Sequence, residues 1–181
     1  MEPNETLTWE DVVLRRVRPE FADELHELIE DGREHIASWM PWAAEQTYQD
    51  TVDFLARSVA SWDSGETFNY SIFVDGRLVG GTGMMTRRGP GTLEIGYWLH
   101  PDAVGRGIVT RACRAQIAAA FALPGIERVE IVHDAANTRS GAVPARLGFT
   151  EVERVPTDTR SKNHTGLDVV WRLNRSGATV S

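Results

Sequence analysis

The sequence predicts an α+β fold: a single mixed, mostly antiparallel sheet of about seven strands flanked by helices, with one parallel strand pair that splays apart. Three observations predict it. Short stretches with an apolar residue at every second position alternate with longer stretches at helical spacing. Up to Leu99 the strands are joined by turns as short as Asp75-Gly76, which suit antiparallel hairpins. Beyond Leu99 they are separated by helix-length segments, which a parallel crossover needs. The third observation is the stretch from Leu93 to Ala112, which changes period within itself. Leu93, Ile95, Tyr97 and Leu99 alternate as in a half-buried strand, Pro101 and Asp102 end it, and Gly105 and Gly107 bracket a turn. From Ile108 the spacing is helical, with Ile108, Ala112, Ala115 and Ala119 on one face and Thr110, Arg111 and Arg114 pointing away.

Taken in order, residues 1–10 are polar and read as a loose tail. Val12 to Val17 is the first strand. Pro19 stands where a first helical turn accepts proline, and Ala22, Leu25, Leu28 and Ile29 form a helical stripe that stops at Gly32. Trp39-Met40-Pro41-Trp42 follows, a large aromatic surface for a connection; packing under a loop accounts for it equally well. Thr47-x-x-Asp50 resembles a capping box, and Val52, Leu55, Val59 and Trp62 mark the buried face of a helix ending near Gly65. Phe68, Tyr70, Ile72 and Val74 give a second strand, and Leu78 to Met85 its hairpin partner. Glycines at 80, 81 and 83 in that partner point to a bulge or a close approach. After the helix that starts at Ile108, Glu130 to His133 reads as a short buried strand. Pro144 is best tolerated near a first turn, which places the next helix start near Ser140, with Gly148 at its end. Phe149 to Val155 and Leu167 to Leu173 are the last strands, expected antiparallel, and 174–181 is a second loose tail.

The 181 residues suit one domain, 1–181, with 41% hydrophobic and 25% charged residues, an ordinary globular balance. The formal charge of -7 argues against nucleic acid as a partner and suits a cationic one such as an amine. A single cysteine, Cys113, allows no internal disulfide. The acidic, polar start resembles neither a signal peptide nor a membrane span, so a cytoplasmic location without a membrane partner is expected. His26, His35, His100, His133 and His164 show no metal-ligand spacing with Cys113, and neither H-E-x-x-H nor a nucleophile elbow is present. No metal is therefore expected.

The glycine turn carries the chemistry. The first turn of a helix has backbone N–H groups without intrahelical partners, and the helix dipole adds partial positive charge there. Gly105 and Gly107 remove side chains that would hold a diphosphate off those amides, and Arg106 and Arg111 stand nearby. A lone G-x-G is equally an ordinary turn, and neither G-x-x-x-x-G-K-S/T nor G-x-G-x-x-G is present.

Val104-Gly105-Arg106-Gly107-Ile108-Val109 resembles the signature Gln/Arg-x-x-Gly-x-Gly/Ala of the GNAT superfamily of N-acetyltransferases. Ile95-Gly96-Tyr97-Trp98-Leu99 and Asn137-x-x-Ser140 followed by Leu147-Gly148-Phe149 extend the likeness to its Rim-type branch (RimJ/RimL-like), which acetylates ribosomal-protein N-termini. The resemblance runs from about Val12 to Arg172. Val104 and Val109 depart from the signature, and they keep a non-catalytic CoA-binding regulatory module as the alternative. The resemblance implies the GNAT fold, acetyl-CoA as co-substrate, and an amine acceptor that is a protein N-terminus or a small molecule. It leaves a homodimer open.

It also implies the site. The diphosphate would meet Val104, Gly105, Arg106, Gly107, Ile108, Val109 and Thr110. The pantetheine arm would lie between the strands ending near Leu99 and His133, touching Trp98, Leu99, His100, Asn137 and Ser140. Amides following Trp98 would receive the thioester oxygen if that strand bulges. Ser140 is the candidate donor to the departing thiolate; helix capping would explain a serine there as well. Glu94, on the strand face opposite Ile95 and Tyr97, is the candidate proton acceptor, directly or through water; a solvent-facing strand residue is the other reading. Trp39 and Trp42 would wall the acceptor side.

Overall fold

β1 (Thr6–Trp9) and β2 (Val12–Arg16) open the computed structural model of the protein as an antiparallel hairpin; residues 2–158 and 161–177 are described. β1 lies in the stretch expected to be a loose tail and is the eighth strand that the expectation of about seven lacks. Only Leu7 points fully inward from it, so its four residues carry almost no alternation to read.

α1 (Ala22–Ala37) passes through Gly32 instead of stopping there. A Cβ on Gly32 would sit 2.8 Å from His100 Cδ2 and 2.9 Å from Pro101 Cδ. The glycine is thus a contact point between helix and sheet end, not a terminator. α2 (Tyr48–Asp63) starts at a complete capping box: Thr47 accepts from the Asp50 amide, and the Thr47 amide donates to Asp50 Oδ2 at 2.8 Å. Its inward face is centred on Thr51, Leu55, Ser58 and Trp62, while Val52 and Val59 flank it half-buried. The small hydroxylated positions let the helix sit close to the sheet, which apolar periodicity alone does not reveal. Asn69, for example, donates to the Ser58 hydroxyl at 2.9 Å.

β3 (Thr67–Val74) and β4 (Arg77–Met85) form the central hairpin through Asp75 (φ +50°) and Gly76 (φ +74°). The register slips at Ile72/Phe73, and the expected close approach is present. A Cβ on Gly80 would lie 2.3 Å from the Trp98 carbonyl oxygen, and one on Gly81 2.7 Å from the Trp98 indole nitrogen. β5 (Thr92–Leu99) pairs with β4 in unbroken register from Met85↔Glu94 to Gly80↔Leu99, so the bulge expected in β5 is absent.

α3 (Ile108–Ala122) then crosses to β6 (Arg128–Asp134), which pairs parallel to β5. α4 (Thr138–Arg146) begins two residues earlier than Pro144 suggested, with Asn137 as N-cap accepting from the Ser140 amide at 3.2 Å. Its end is a Schellman motif: Gly148 (φ +78°) donates to Ala145 O and Phe149 to Pro144 O. β7 (Thr150–Pro156) and β8 (Leu167–Asn174) are antiparallel, and β8 inserts between β6 and β7. The sheet order is β1-β2-β3-β4-β5-β6-β8-β7. Of the expected C-terminal tail, Asn174 closes β8 and Arg175 donates to Ile126 O at 2.9 Å and Phe121 O at 2.6 Å; residues 178–181 lie outside the described residues.

Alternation divides the interior in two. Leu14, Ile72, Ile95 and Ile131 face α3 with Ile108, Ala112 and Ile117, whereas Phe73 and Leu78 face α1 and α2 with Leu25, Ile29 and Leu55. Among the described residues no helix is long and apolar enough to cross a membrane.

Candidate active site

The parallel pair sets the site. β5 and β6 are hydrogen-bonded only from Thr92↔Arg128 to Ile95↔Ile131, yet β5 continues to Leu99 and β6 to Asp134. Each stays tied to its other neighbour, β5 to β4 and β6 to β8, so the two ends diverge and leave a split. In a strand, the amides of successive residues point to opposite edges. The His100 amide donates to Val79 O at 2.9 Å, on the β4 side, and Gly96 O accepts from Thr82 on that same side. The amides of Leu99 and Tyr97 therefore face the split, and no bulge is needed to turn them there.

A cavity of about 970 Å³ opens at this split. Gly96, Tyr97 and Trp98 of β5 line one side, Val132, His133 and Asp134 of β6 the other, and Asn137 and Ser140 of α4 its end. Trp39 and Trp42 line it from the α1–α2 connection. Neither is core: Trp42 is 43% exposed and packs edge-on against Trp98, with ring centroids 5.7 Å apart, while Trp39 stacks on His164 at 6.3 Å.

The capping duty expected as the bland role of Ser140 belongs to Asn137, which leaves the Ser140 hydroxyl uncommitted to the helix end. The Tyr97 hydroxyl donates to Ser140 O at 3.0 Å and so fastens α4 across the mouth of the split. Burial raises the Tyr97 phenol well above its ordinary value, which keeps that donor protonated. His133 is fixed by its neighbours. Trp171 Nε1–H donates to its Nε2 at 2.9 Å, so the ring proton sits on Nδ1, 2.8 Å from Asp134 O. A Cβ on Gly141 would stand 2.8 Å from that ring, so glycine lets α4 lie on β6.

Glu94 is buried and lines the cavity, on the face expected for it. Its Oε2 accepts from Arg87 Nε at 3.1 Å and its Oε1 from the same guanidinium. Arg87 sits in a turn that sequence reading treats as a mere connection, so this partner went unseen. Asp168 of β8, also in the cavity wall, was missed as well; it occupies an ordinary period-two position in the last strand.

The glycine corner follows the end of β5 and lies at open surface, outside the residues that line the cavity. Gly105 (φ +77°) and Gly107 (φ +68°) are both left-handed, and Gly107 is the N-cap of α3 with no side chain to offer it. The amides of Ile108, Val109 and Thr110 thus form an uncapped first turn. Val104 and Val109, the two departures from the signature, pack half-buried against the core. Arg106 is exposed, but Arg111 is shared: its Nε lies 2.9 Å from Asp11 Oδ1 and its Nη1 donates to Arg106 O at 3.2 Å. His100 is committed elsewhere. Its ring bridges Asp31 at 2.9 Å and the Asp102 amide at 3.3 Å, and its own amide belongs to Val79, so neither its ring nor its amide is free for a cofactor.

A split parallel pair beside an uncapped, glycine-flanked helix start is a cradle for a long thioester ending in a diphosphate. The family profile described as "Acetyltransferase (GNAT) domain" matches residues 11–150. The chain belongs to the GNAT acetyltransferases. It is 32% identical to "Putative ribosomal N-acetyltransferase YdaF" of Bacillus subtilis (strain 168), over 78% of this chain and 79% of that relative. RimL, the ribosomal L7/L12 alpha-N-protein acetyltransferase solved in complex with coenzyme A, shares the fold with a TM-score of 0.86 at 18% identity, over 94% of this chain and 98% of that one. The microcin C7 self-immunity acetyltransferase MccE, solved with acetyl-CoA and AMP, does so with a TM-score of 0.84 at 23% identity, over 91% and 93%. As a GNAT enzyme the chain is an N-acetyltransferase with acetyl-CoA as its co-substrate, and the uncapped amides and the split fit that molecule.

Proposed function

We propose that this GNAT enzyme acetylates the α-amine of a protein N-terminus, of the ribosomal-protein type, by direct attack in a ternary complex. The observation that carries the reading is the cavity at the split. It is large enough for the end of a peptide, walled by Trp39 and Trp42, and reaches the strand edge where an acetyl group would lie. The 32% identity to a relative named for ribosomal N-acetylation supports the same acceptor. This reading places the enzyme in the cytoplasm, with its acceptors.

Within it the side chains divide the work. The amides at the start of α3 hold the diphosphate. The amides of Leu99 and Tyr97 receive the thioester oxygen as charge grows on it. Glu94, held by Arg87, takes a proton from the acceptor ammonium through water, because only the neutral amine carries a free lone pair. The nitrogen bonds to the acetyl carbon, the carbon–sulfur bond breaks while the Ser140 hydroxyl donates a hydrogen bond to the departing thiolate, and the proton that the nitrogen sheds on becoming an amide passes to that sulfur. The products are the acetylated amine and free coenzyme A.

The test is incubation with acetyl-CoA and a panel of N-terminal peptides and small amines, reading thiol release and the mass of the product. Peptides acetylated on the α-amine are the expected result. Turnover of small amines alone would overturn the protein acceptor, and an absence of thiol release with every amine would favour the non-catalytic CoA-binding module.

A further inference from the structure

Three carboxylates rise from the sheet into the cavity: Glu94 on β5, Asp134 on β6 and Asp168 on β8. Two of them are satisfied. Glu94 accepts from Arg87 through both oxygens. Asp134 accepts from the Ala136 amide at 2.9 Å, the Thr165 amide at 2.8 Å and the Thr165 hydroxyl at 2.9 Å. Asp168 is the direct partner of Asp134 across the β6–β8 ladder, yet no donor reaches it among the described residues. It is half-buried, deeper than Glu45 and Asp50 at the exposed rim of the same cavity.

We infer that Asp168 is the anchor for the ammonium of the incoming acceptor, a specificity-determining residue that selects amines arriving with a positive charge. The inference rests on the acceptor reading above and adds the group that recognises its head. A half-buried carboxylate beside two others gains most from a cation that comes and goes with the substrate, since among the described residues no cation is bonded to it. Burial and the Asp134 and Glu94 carboxylates push the Asp168 carboxyl above its ordinary value, while the His164 and His133 rings pull it the other way. Arg87 also lies within electrostatic reach, but its guanidinium is bonded to Glu94. The walls suit the same ligand. His164 stacks on Trp39, and Trp42 packs on Trp98, so aromatic faces that attract cations stand in the cavity that Asp168 enters. An ammonium hydrogen-bonded to Asp168 would keep its remaining N–H groups for the water that leads to Glu94.

The experiment compares two ligands on the wild-type enzyme, an acceptor peptide with a free α-amine and the same peptide carrying an α-hydroxyl, used as a competitive inhibitor. The amine peptide should bind at least tenfold tighter, the scale of a hydrogen bond to a charged group. In Asp168→Asn the KM for the amine peptide should rise about 10- to 100-fold, with the KM for acetyl-CoA and the inhibition constant of the hydroxyl peptide unchanged. Asp168→Glu should recover part of the loss. Equal wild-type affinity for the two peptides would overturn the anchor without any variant having to fold, as would a parallel weakening of both peptides in Asp168→Asn. A wild-type enzyme that acetylates no peptide would instead overturn the acceptor reading itself.

Discussion

Gly107 holds φ at +68° and leaves the first turn of α3 uncovered, so two properties of the corner meet in one residue. A side chain there must adopt the left-handed backbone and lie over the amides of Ile108 to Thr110. In Gly107→Glu that side chain is also a carboxylate at the place meant for a diphosphate. The variant should lose acetyl-CoA binding by at least about 100-fold in calorimetry while keeping its circular dichroism, because the added Cβ meets only the end of the long Arg111 side chain, at 3.3 Å. Unchanged affinity would put the diphosphate elsewhere. Ser140 allows a sharper separation, because the cap of α4 is Asn137. Ser140→Ala should lower kcat at least tenfold with little change in the acetyl-CoA dissociation constant or in Tm. Asn137→Ala should show the reverse, about 1 kcal/mol of lost stability from the missing cap. Equal turnover in Ser140→Ala would leave that hydroxyl no chemical role.

The elements show what periodicity reports and what it hides. The β3–β4 hairpin and its Asp75-Gly76 turn were legible because a two-residue turn with left-handed positions has a sequence signature. The parallel pair was legible from connection lengths. β1 was not, because a four-residue strand with one buried side chain has no period. The end of α1 was misplaced because a glycine chosen for contact with His100 and Pro101 looks like one chosen to stop a helix. The start of α4 was misplaced because Pro144 is tolerated further inside the helix than its missing N–H suggests. The glycines of β4 pointed to a bulge or a close approach, and the hairpin has both a register slip and close contacts with β5; the glycines differ in what an added methyl group would meet. At Gly80 it is the Trp98 carbonyl and the Leu99 Cα, backbone that cannot move without breaking the β4–β5 ladder; at Gly81 it is the Trp98 indole, which can turn. Gly80→Ala should therefore cost more stability than Gly81→Ala, about 1–3 kcal/mol by denaturant unfolding. Gly81→Ala should instead act chiefly on acceptor KM by moving Trp98. The opposite ranking would mean that the two strands are not held together as tightly as their register implies.

Across the molecule, what escaped the sequence is which charges pair. Arg87 in the β4–β5 turn meets Glu94 seven residues on, whereas Glu130 of β6 meets Arg88 of the same turn and Arg172, its ladder partner on β8, each 42 residues away. Alternation showed that Glu94 faces away from α3; it did not show which cation it meets. The same network sets how the fold responds to acid. Glu130 is 2% exposed. Burial alone would raise its carboxyl, but hydrogen bonds from Arg88 and Arg172, each at 2.8 Å, outweigh that and hold it below its ordinary 4.5. Asp134 follows the same balance, with burial opposed by bonds from Ala136 and Thr165, and stays below 3.8. A carboxylate depressed in the folded state contributes stability that is present above its unfolded value and disappears as pH falls towards the folded one. Asp168 has the opposite sign, so its protonation returns a little stability on the way down. Four depressed carboxylates, the buried Glu130 and Asp134 and the exposed Asp50 and Glu151, against one raised, with Glu130 gripped by two guanidinium groups, make the net effect a loss. Tm should ease down from about pH 6.5, because burial and the Arg139 charge hold His35 below its ordinary value and the unfolded chain takes up that proton first, and should fall steadily below about 4.5. Glu130→Gln should lower Tm at pH 7, because Arg88 and Arg172 lose their counter-charge, and should flatten the acid limb of the curve. A Tm unchanged down to pH 3, or an acid limb as steep in Glu130→Gln as in the wild type, would show that the arginine-bound carboxylate does not govern acid stability.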